Sequence, residues 1–141
     1  MQALDRRREH LMSVAARAFA ERGFHRTSMR DLSRASEMSL AGMYYYVKGK
    51  EDLLFHIQKA CYEQLMAGAA RVVGGGAGPA ERLAAFIRHH VTFFSSHMAE
   101  MKVLSHEAES LSGAALEEVR GLQRSYADLG LGLLADLEAG R

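Results

Sequence analysis

The chain has 141 residues, 48% hydrophobic and 25% charged, which excludes a disordered or low-complexity protein. No apolar run approaches the roughly 20 residues that span a bilayer, and the first residues lack the apolar segment of a secretory signal, so we expect a cytoplasmic protein without membrane contact. The net charge of +1 is unevenly distributed, because residues 1–50 hold ten Lys and Arg against five Asp and Glu, whereas 51–141 hold eight against twelve. This asymmetry indicates that the N-terminal portion meets a polyanion.

The first 36 residues predict two helices. Apolar residues at three-, four- and seven-residue spacing predict a helix over residues 5–22, and Gly23 supplies its stop. Ser28 stands three residues before Asp31, which predicts a capping box at the start of a second, short helix that ends near Ser36.

Two further helices follow. Ser39 is the expected cap of a third helix over residues 40–46, and Gly49 separates it from a long fourth helix over residues 50–73. Cys61, the one cysteine, lies on the apolar stripe of the fourth helix and is interpreted as a buried thiol, with redox sensing as the alternative. That stripe consists of Leu53, Leu54, Ile57, Cys61, Leu65, Ala69 and Val72.

The glycine-rich segment 74–79 predicts a connector to three more helices, with a functional lid as the alternative. No segment alternates as strands do, so the expected fold is all-α. The last helix, with Ser112 as its cap, contains three glycines whose tolerance suggests close packing against a neighbour: Gly121, Gly130 and Gly132. The fifth and sixth helices are marked by Leu83, Phe86, Ile87, His90, Val91, Phe94, Met98, Met101, Val103 and Leu104.

The second and third predicted helices have the dimensions of a helix-turn-helix, in which the second helix enters the major groove of DNA. Small residues at its leading end would let the backbone approach base edges, and the phenols behind them would reach phosphates. Arg30 has the reach to bind a guanine or a phosphate. The candidate DNA-binding residues of the third helix are Leu40, Ala41, Gly42, Tyr44, Tyr45 and Tyr46, followed by the cations Lys48 and Lys50. The alternative is that the aromatic residues belong to the core.

Residues 18–54, AFAERGFHRTSMRDLSRASEMSLAGMYYYVKGKEDLL, resemble throughout the DNA-binding domain of the tetracycline-repressor (TetR) family. The matching features are the Gly-Phe before a Thr-Ser pair, the Arg-Asp-Leu, the Ser before the recognition helix and the final Lys-Glu-x-Leu. The resemblance implies a three-helix DNA-binding domain over residues 1–50, joined by the long fourth helix to a ligand-binding and dimerisation domain over 51–141. It also implies a homodimeric repressor that a small molecule releases from a palindromic operator.

Residue by residue, the resemblance implies phosphate contacts for Tyr44 and Lys50, with Ser28 as a further candidate. It places Tyr45 and Leu40 toward the groove, Arg30 at a base, and Met43 and Val47 in the core, whereas Tyr46 either packs on the first helix or contacts a second phosphate. Two departures affect this expectation. Gly42 replaces the family's usual phosphate-binding threonine, and Glu37 replaces the usual glycine of the turn, so a non-glycine must adopt the turn conformation or the turn must differ.

The C-terminal helices hold apolar bulk with a few polar groups, which suits a small-molecule cavity but equally an ordinary helical core. The candidate ligand-binding residues are Phe86, His90, Phe93, Phe94, His97, Met101 and Tyr126. Residues 106–129 are also similar to family members that respond to acyl-CoA thioesters, which makes an acyl-CoA or another apolar metabolite a candidate effector. Because no His pair has metal-ligand spacing and no nucleophile stands beside a base, we expect no metal, no cofactor and no enzyme activity.

The family usually continues for two more helices that form the dimer seam. The expectation is therefore a truncated chain with an incomplete second domain, and the alternative is a dimer built otherwise. A rival hypothesis for function is an all-helical ligand-binding or protein-interaction module that does not bind DNA.

Overall fold

A computed structural model describes residues 2–74 and 77–140. Seven α-helices in this part of the chain run in the order α1 (Gln2–Arg22), α2 (Met29–Ser36), α3 (Leu40–Tyr46), α4 (Lys50–Val73), α5 (Pro79–Ser96), α6 (Met98–His106) and α7 (Gly113–Ala139), with a 3₁₀ turn at Ala108–Ser110. No strand occurs among these residues, so the predicted all-α fold is confirmed. Gly75 and Gly76 of the predicted connector lie outside the described residues.

The predicted local signals form at the start of α2 and α3. The Ser28 hydroxyl accepts the Asp31 N–H at 3.0 Å, and the Asp31 carboxylate accepts the Ser28 N–H at 2.9 Å, which completes the capping box. Ser39 caps α3 by accepting the Gly42 N–H at 2.9 Å. The boundaries of α3 and α4 are those predicted, whereas α1 begins three residues earlier than expected.

The turn between α2 and α3 depends on Glu37, which adopts the left-handed conformation with φ 58° and ψ 31°. Its N–H donates to Arg34 O, and the next N–H, that of Met38, donates to Ser33 O, which is the Schellman arrangement that usually employs glycine. The turn therefore keeps its geometry with a glutamate, as the first of the two predicted possibilities stated.

A single hydrophobic core runs through both halves of the molecule. Leu11, Ala15 and Phe19 of α1 pack with Leu32 of α2 and Met43 of α3. The same core continues along α4 and into the C-terminal helices through residues such as Ile57, Leu65, Phe93, Met101, Val103 and Tyr126. No polar layer separates the N-terminal unit, α1–α3, from the helices that follow it, because α6 packs directly on α1.

The inward faces of α4 and α5 differ from those predicted near their ends. Val73 is buried where Val72 was expected, and Val72 is 43% exposed. On α5, Phe93 is buried, whereas Ile87, Val91 and Phe94 are exposed because the helix turns Phe86, His90 and Phe93 toward α4 and α7. Apolar residues that cover two faces of one helix leave the inward face ambiguous from spacing alone.

One of the three glycines of α7 has the close neighbour that was predicted. A Cβ at Gly130 would lie 3.1 Å from the Phe86 ring, so α5 and α7 approach closely there. A Cβ at Gly121 would meet only Arg124 at 3.9 Å, and one at Gly132 would meet nothing within 4 Å. Close packing therefore accounts for Gly130 alone. Ser112 precedes α7 as predicted, but its hydroxyl and N–H both donate to Glu51 of α4 instead of capping its own helix.

Two hydrogen bonds to Phe24 join the N-terminal unit to the rest of the chain. The Glu107 carboxylate, just after α6, accepts the Phe24 N–H at 2.6 Å. The Lys50 ammonium donates to Phe24 O at 2.7 Å and stands 4.2 Å from the centre of the Phe24 ring. The buried Gln58 of α4 donates to the Glu107 carbonyl at 3.2 Å. The α1–α2 turn is therefore held by groups from both α4 and the segment after α6.

Candidate nucleic-acid interface and effector cleft

Helix α3 presents one face to solvent because its other face is anchored in the core. Met43 is fully buried and Val47, which ends the helix, is 3% exposed. This anchoring leaves an outward face with the Tyr45 side chain 71% exposed and that of Tyr44 51% exposed. Leu40 and Ala41 are exposed on the same short helix. The structure therefore brings Leu40, Ala41, Tyr44 and Tyr45 together on one surface, here called the α3 face.

Tyr46 differs from its two neighbours. It is half-buried and packs against the core, and its ring meets the Tyr45 ring edge-on at 5.1 Å. Tyr46 therefore packs toward the protein, whereas a phosphate contact by its hydroxyl stays a prediction. This edge-on contact gives the exposed Tyr45 ring a packing partner on the protein side.

The two lysines after α3 are used in different ways. Lys48 is exposed, and its backbone N–H donates to the Asp52 carboxylate at 2.9 Å. Lys50 is half-buried, and its ammonium donates one hydrogen bond to Phe24 O, so it stabilises the α1–α2 turn. A phosphate contact by Lys50 stays a prediction, and the structure gives this ammonium an internal role that the sequence did not suggest.

Ser28 and Arg30 lie at the exposed start of α2. The Ser28 oxygen accepts within the capping box, and a phosphate contact by Ser28 stays a prediction. The bond from the Ser28 N–H, with further contributions from its hydroxyl, Arg34 and Arg22, lowers the pKa of the Asp31 carboxyl. Arg30 forms no ion pair with a carboxylate of the described residues, so its guanidinium is available to an external anion.

A cleft of about 460 Å³ opens between α1, α4, α5 and the start of α6, and is here called the interhelical cleft. Phe93 and His97 belong to its wall, where the two rings stack with centroids 3.9 Å apart. Its volume falls within the usual range for small-molecule sites. The full lining is Arg8, Glu9, Met12, Ser13, Ile57, Ala60, Cys61, Gln64, Phe93, His97 and Glu100.

The other predicted ligand residues lie elsewhere. Met101 is buried behind the cleft wall, with its sulfur 3.9 Å from that of Cys61. Phe94 faces a separate groove of about 330 Å³ between α1, α5 and α6, beside Met98 and Lys102. The interhelical cleft therefore contains two of the seven predicted residues.

Phe86, His90 and Tyr126 form a packed cluster between α5 and α7. His90 Nδ1 and the Tyr126 hydroxyl are 2.8 Å apart, and the Phe86 and Tyr126 rings are 5.3 Å apart. Burial lowers the pKa of His90, with a smaller contribution from His89, and raises the pKa of Tyr126 to about 12. Both groups are therefore neutral at pH 7, and the cluster has the chemistry of a core.

Cys61 is a free, buried thiol, as interpreted from the sequence. Burial raises its pKa to about 12, with Glu100 contributing in the same direction, so the reactive thiolate is scarce at neutral pH. Within residues 2–74 and 77–140, no group of three His, Cys, Asp or Glu side chains could hold a metal ion. No helix in that part of the chain is both long and apolar enough to cross a bilayer.

Sequence reasoning missed the contribution of α1 to the interhelical cleft. Arg8, Glu9, Met12 and Ser13 were assigned only to the N-terminal unit, and no spacing signal relates them to α5. Their part in the cleft follows from the packing of α1 on α6, which is a long-range contact.

The fold and the α3 face define a helix-turn-helix protein with an attached helical domain. Two family models match the chain, "Bacterial regulatory proteins, tetR family" over residues 11–57 and "Tetracyclin repressor-like, C-terminal domain" over residues 76–140. The chain belongs to the TetR family. The resemblance seen in residues 18–54 is thus confirmed and extends to the C-terminal helices.

Among curated relatives, the chain is 27% identical over 106 residues to the HTH-type transcriptional repressor KstR2 of Mycobacterium tuberculosis, covering 75% of this chain and 53% of that protein. It is 31% identical over 121 residues to the regulator BetI of Rhizobium meliloti, covering 86% of this chain and 59% of BetI. The chain therefore spans about half the length of the curated relatives it matches.

Solved structures show the same fold. A TetR-family regulator from Bordetella parapertussis superposes with a TM-score of 0.90 at 22% identity, covering 94% of this chain and 69% of that one. AibR, solved with isovaleryl coenzyme A and operator DNA, superposes with a TM-score of 0.78 at 29% identity, covering 86% of this chain and 66% of AibR.

Proposed function

We propose that this protein is a transcriptional repressor that binds a palindromic operator as a homodimer and is released by a small molecule, with an acyl-CoA as the leading candidate. The α3 face carries the DNA-binding part of the proposal, because Leu40, Tyr44 and Tyr45 are held outward by a buried anchor. The excess of basic residues over positions 1–50 supports it, since phosphates dominate the affinity of such proteins for DNA. The match to KstR2, a repressor by name, supports the regulatory role.

The roles proposed for the α3 face differ from residue to residue. Tyr44 donates its hydroxyl to a phosphate, Tyr45 and Leu40 contact groove edges, and Ala41 and Gly42 allow the backbone to approach closely. Arg30, Ser28, Lys48 and Lys50 add cations and donors on either side. Cytoplasmic location and homodimer formation belong to the same proposal.

Fragments selected from the source genome supply the duplex for a first test. We expect Tyr44→Phe to weaken binding about fivefold on selected and unselected duplexes alike, because a phosphate contact carries no sequence information. Tyr45→Ala should instead reduce the preference for the selected duplex over a scrambled one by about tenfold. Fluorescence anisotropy at several salt concentrations measures both quantities.

Leu131→Ala, on the exposed surface of α7, is the control for this test and should bind like the unsubstituted protein. If the protein bound no duplex even at low salt, the result would contradict the proposal and favour the rival hypothesis, a helical module without DNA-binding activity. Equal loss on every duplex for Tyr45→Ala would remove only the base-reading role of that residue.

The interhelical cleft is the proposed effector site, because it combines apolar side chains of α1, α4 and α5 with ionisable groups from α1, α6 and the residue between α5 and α6. A molecule bound there contacts α1 of the N-terminal unit and α4–α6 at once, so it favours one relative placement of these elements. The acyl-CoA class rests on AibR and on the similarity of residues 106–129 to acyl-CoA-responsive family members.

Filling the interhelical cleft tests the effector proposal. We expect isovaleryl coenzyme A to raise the melting temperature of the protein and to lower its affinity for the selected duplex, whereas free coenzyme A should have a smaller effect. Ala60→Leu narrows the cleft. It should raise at least tenfold the concentration of isovaleryl coenzyme A that is needed to produce either effect. Ala67→Leu adds the same side chain at an exposed position of α4 and should leave both effects unchanged. Equal responses of the two variants would place the effector outside the cleft.

A further inference from the structure

Arg7 of α1 lies beside the leading end of α3. Its guanidinium Nη2 is 3.9 Å from the point where a Cβ on Gly42 would stand. Thirty-five positions separate the two residues, so neither the helix-turn-helix pattern nor local spacing relates them. The approach follows from the packing of α1 on α2.

A second contact fixes that packing. His10, three residues after Arg7 and therefore on the same face of α1, donates from Nε2 to Ser36 O at 3.0 Å. Ser36 is the last residue of α2. With His10 attached to the end of α2, the preceding turn of α1 projects over the start of α3, where Arg7 meets Gly42.

Position 42 has no side chain, so the Arg7 guanidinium stands beside the α3 backbone there. A Cβ at this position would lie 3.1 Å from the Ser39 hydroxyl oxygen that caps α3 and at an ordinary contact distance from the guanidinium. Arg7 is exposed, and it forms no ion pair with a carboxylate among residues 2–74 and 77–140. A full positive charge with free donors therefore stands at the edge of the α3 face.

We propose that Arg7 binds a DNA phosphate at the leading end of α3, as a positioning contact supplied by α1. A guanidinium presents two parallel N–H donors to the oxygens of one phosphate, which fixes both distance and orientation. The proposal rests on the DNA-binding function proposed above.

The two neighbouring arginines lack this placement. Arg8 lines the interhelical cleft. Arg6 is exposed, but its side chain leaves the helix about 100° around the axis from that of Arg7. Arg6→Ala is therefore a matched control, since it removes the same charge from the same turn of α1 without changing the contact at α3.

The test compares Arg7→Ala, Arg6→Ala and Arg7→Lys by anisotropy on a fluorescein-labelled duplex from the genomic selection and on a scrambled duplex. We expect Arg7→Ala to bind both duplexes about tenfold more weakly and to reduce the slope of log affinity against log salt by about 1.8, because the proposed homodimer loses one phosphate contact in each subunit. Arg6→Ala should change affinity less than threefold by long-range charge alone. Arg7→Lys should recover most of the slope but only part of the affinity, because it keeps the charge and loses the fork.

Circular dichroism and thermal unfolding establish that each variant is folded. Equal changes in affinity and slope for Arg7→Ala and Arg6→Ala would overturn the Arg7 contact while leaving the DNA-binding function intact. Failure of the unsubstituted protein to bind any duplex would overturn that function, and the Arg7 contact with it.

Discussion

An alanine at position 68 should lower the free energy of unfolding by about 2 kcal/mol, although alanine ordinarily stabilises a helix relative to glycine. Gly68 is buried on α4, and a Cβ there would lie 2.2 Å from the His89 ring. That ring cannot simply move aside, because His89 Nε2 donates to Leu65 O at 3.0 Å. The added methyl group must therefore separate α4 from α5 or break this bond. Chemical denaturation monitored by circular dichroism measures the change.

Gly132→Ala is the matched control, because position 132 is an exposed site within α7 where a Cβ meets nothing within 4 Å. It should raise the free energy of unfolding by about 1 kcal/mol through helix propensity alone. The same chemical change therefore has opposite signs at the two glycines. If both substitutions stabilised the protein equally, the His89 ring of α5 would not lie as close as 2.2 Å to a Cβ at position 68 of α4.

Removal of the Glu107 carboxylate should cost about 2 kcal/mol of stability and loosen the α1–α2 turn. Glu107→Ala leaves the Phe24 N–H without its acceptor in a half-buried site, and an unsatisfied buried donor costs more than the average hydrogen bond contributes. Native-state hydrogen exchange gives the specific readout. The Phe24 amide should exchange at least tenfold faster, whereas amides in the middle of α4 should change only in proportion to global stability.

Two further variants separate the hydrogen bond from the charge. Glu107→Gln keeps an oxygen that can accept from Phe24 and should lose less than half of the stability lost by Glu107→Ala. Glu109→Ala removes a nearby carboxylate whose ion pair with Arg120 is largely exposed, so it should be nearly neutral. Unchanged exchange at Phe24 in Glu107→Ala would contradict the joint between the segment after α6 and the N-terminal unit.

The elements that could be predicted from sequence are those with local signals. The N-termini of α2, α3 and α4 follow from Ser28, Ser39 and Gly49, because the residue before a helix acts within its first turn. The outward α3 face could also be anticipated, because Met43 and Val47 are one turn apart and fix which side is buried. These features depend on residues close together in the sequence.

The features that could not be predicted depend on where distant helices cross. The inward face of α5 is ambiguous because apolar residues cover two of its sides, and only α4 and α7 decide between them. The interhelical cleft and the approach of Arg7 to Gly42 both require the position of α1 over helices far along the chain. The spacing of apolar residues within one segment does not indicate where that segment crosses a distant helix.

The hydrophobic core that continues from α1 through Phe93 and Tyr126 bears on how the family can diversify. An N-terminal unit with a hydrophobic core of its own could be exchanged between regulators without affecting the C-terminal helices. Here an exchange of residues 1–50 would also replace one wall of the proposed effector site and the partner of Glu107. Under the proposed function, operator preference and effector preference would be inherited together, and a change in one would require compensating substitutions along the shared core.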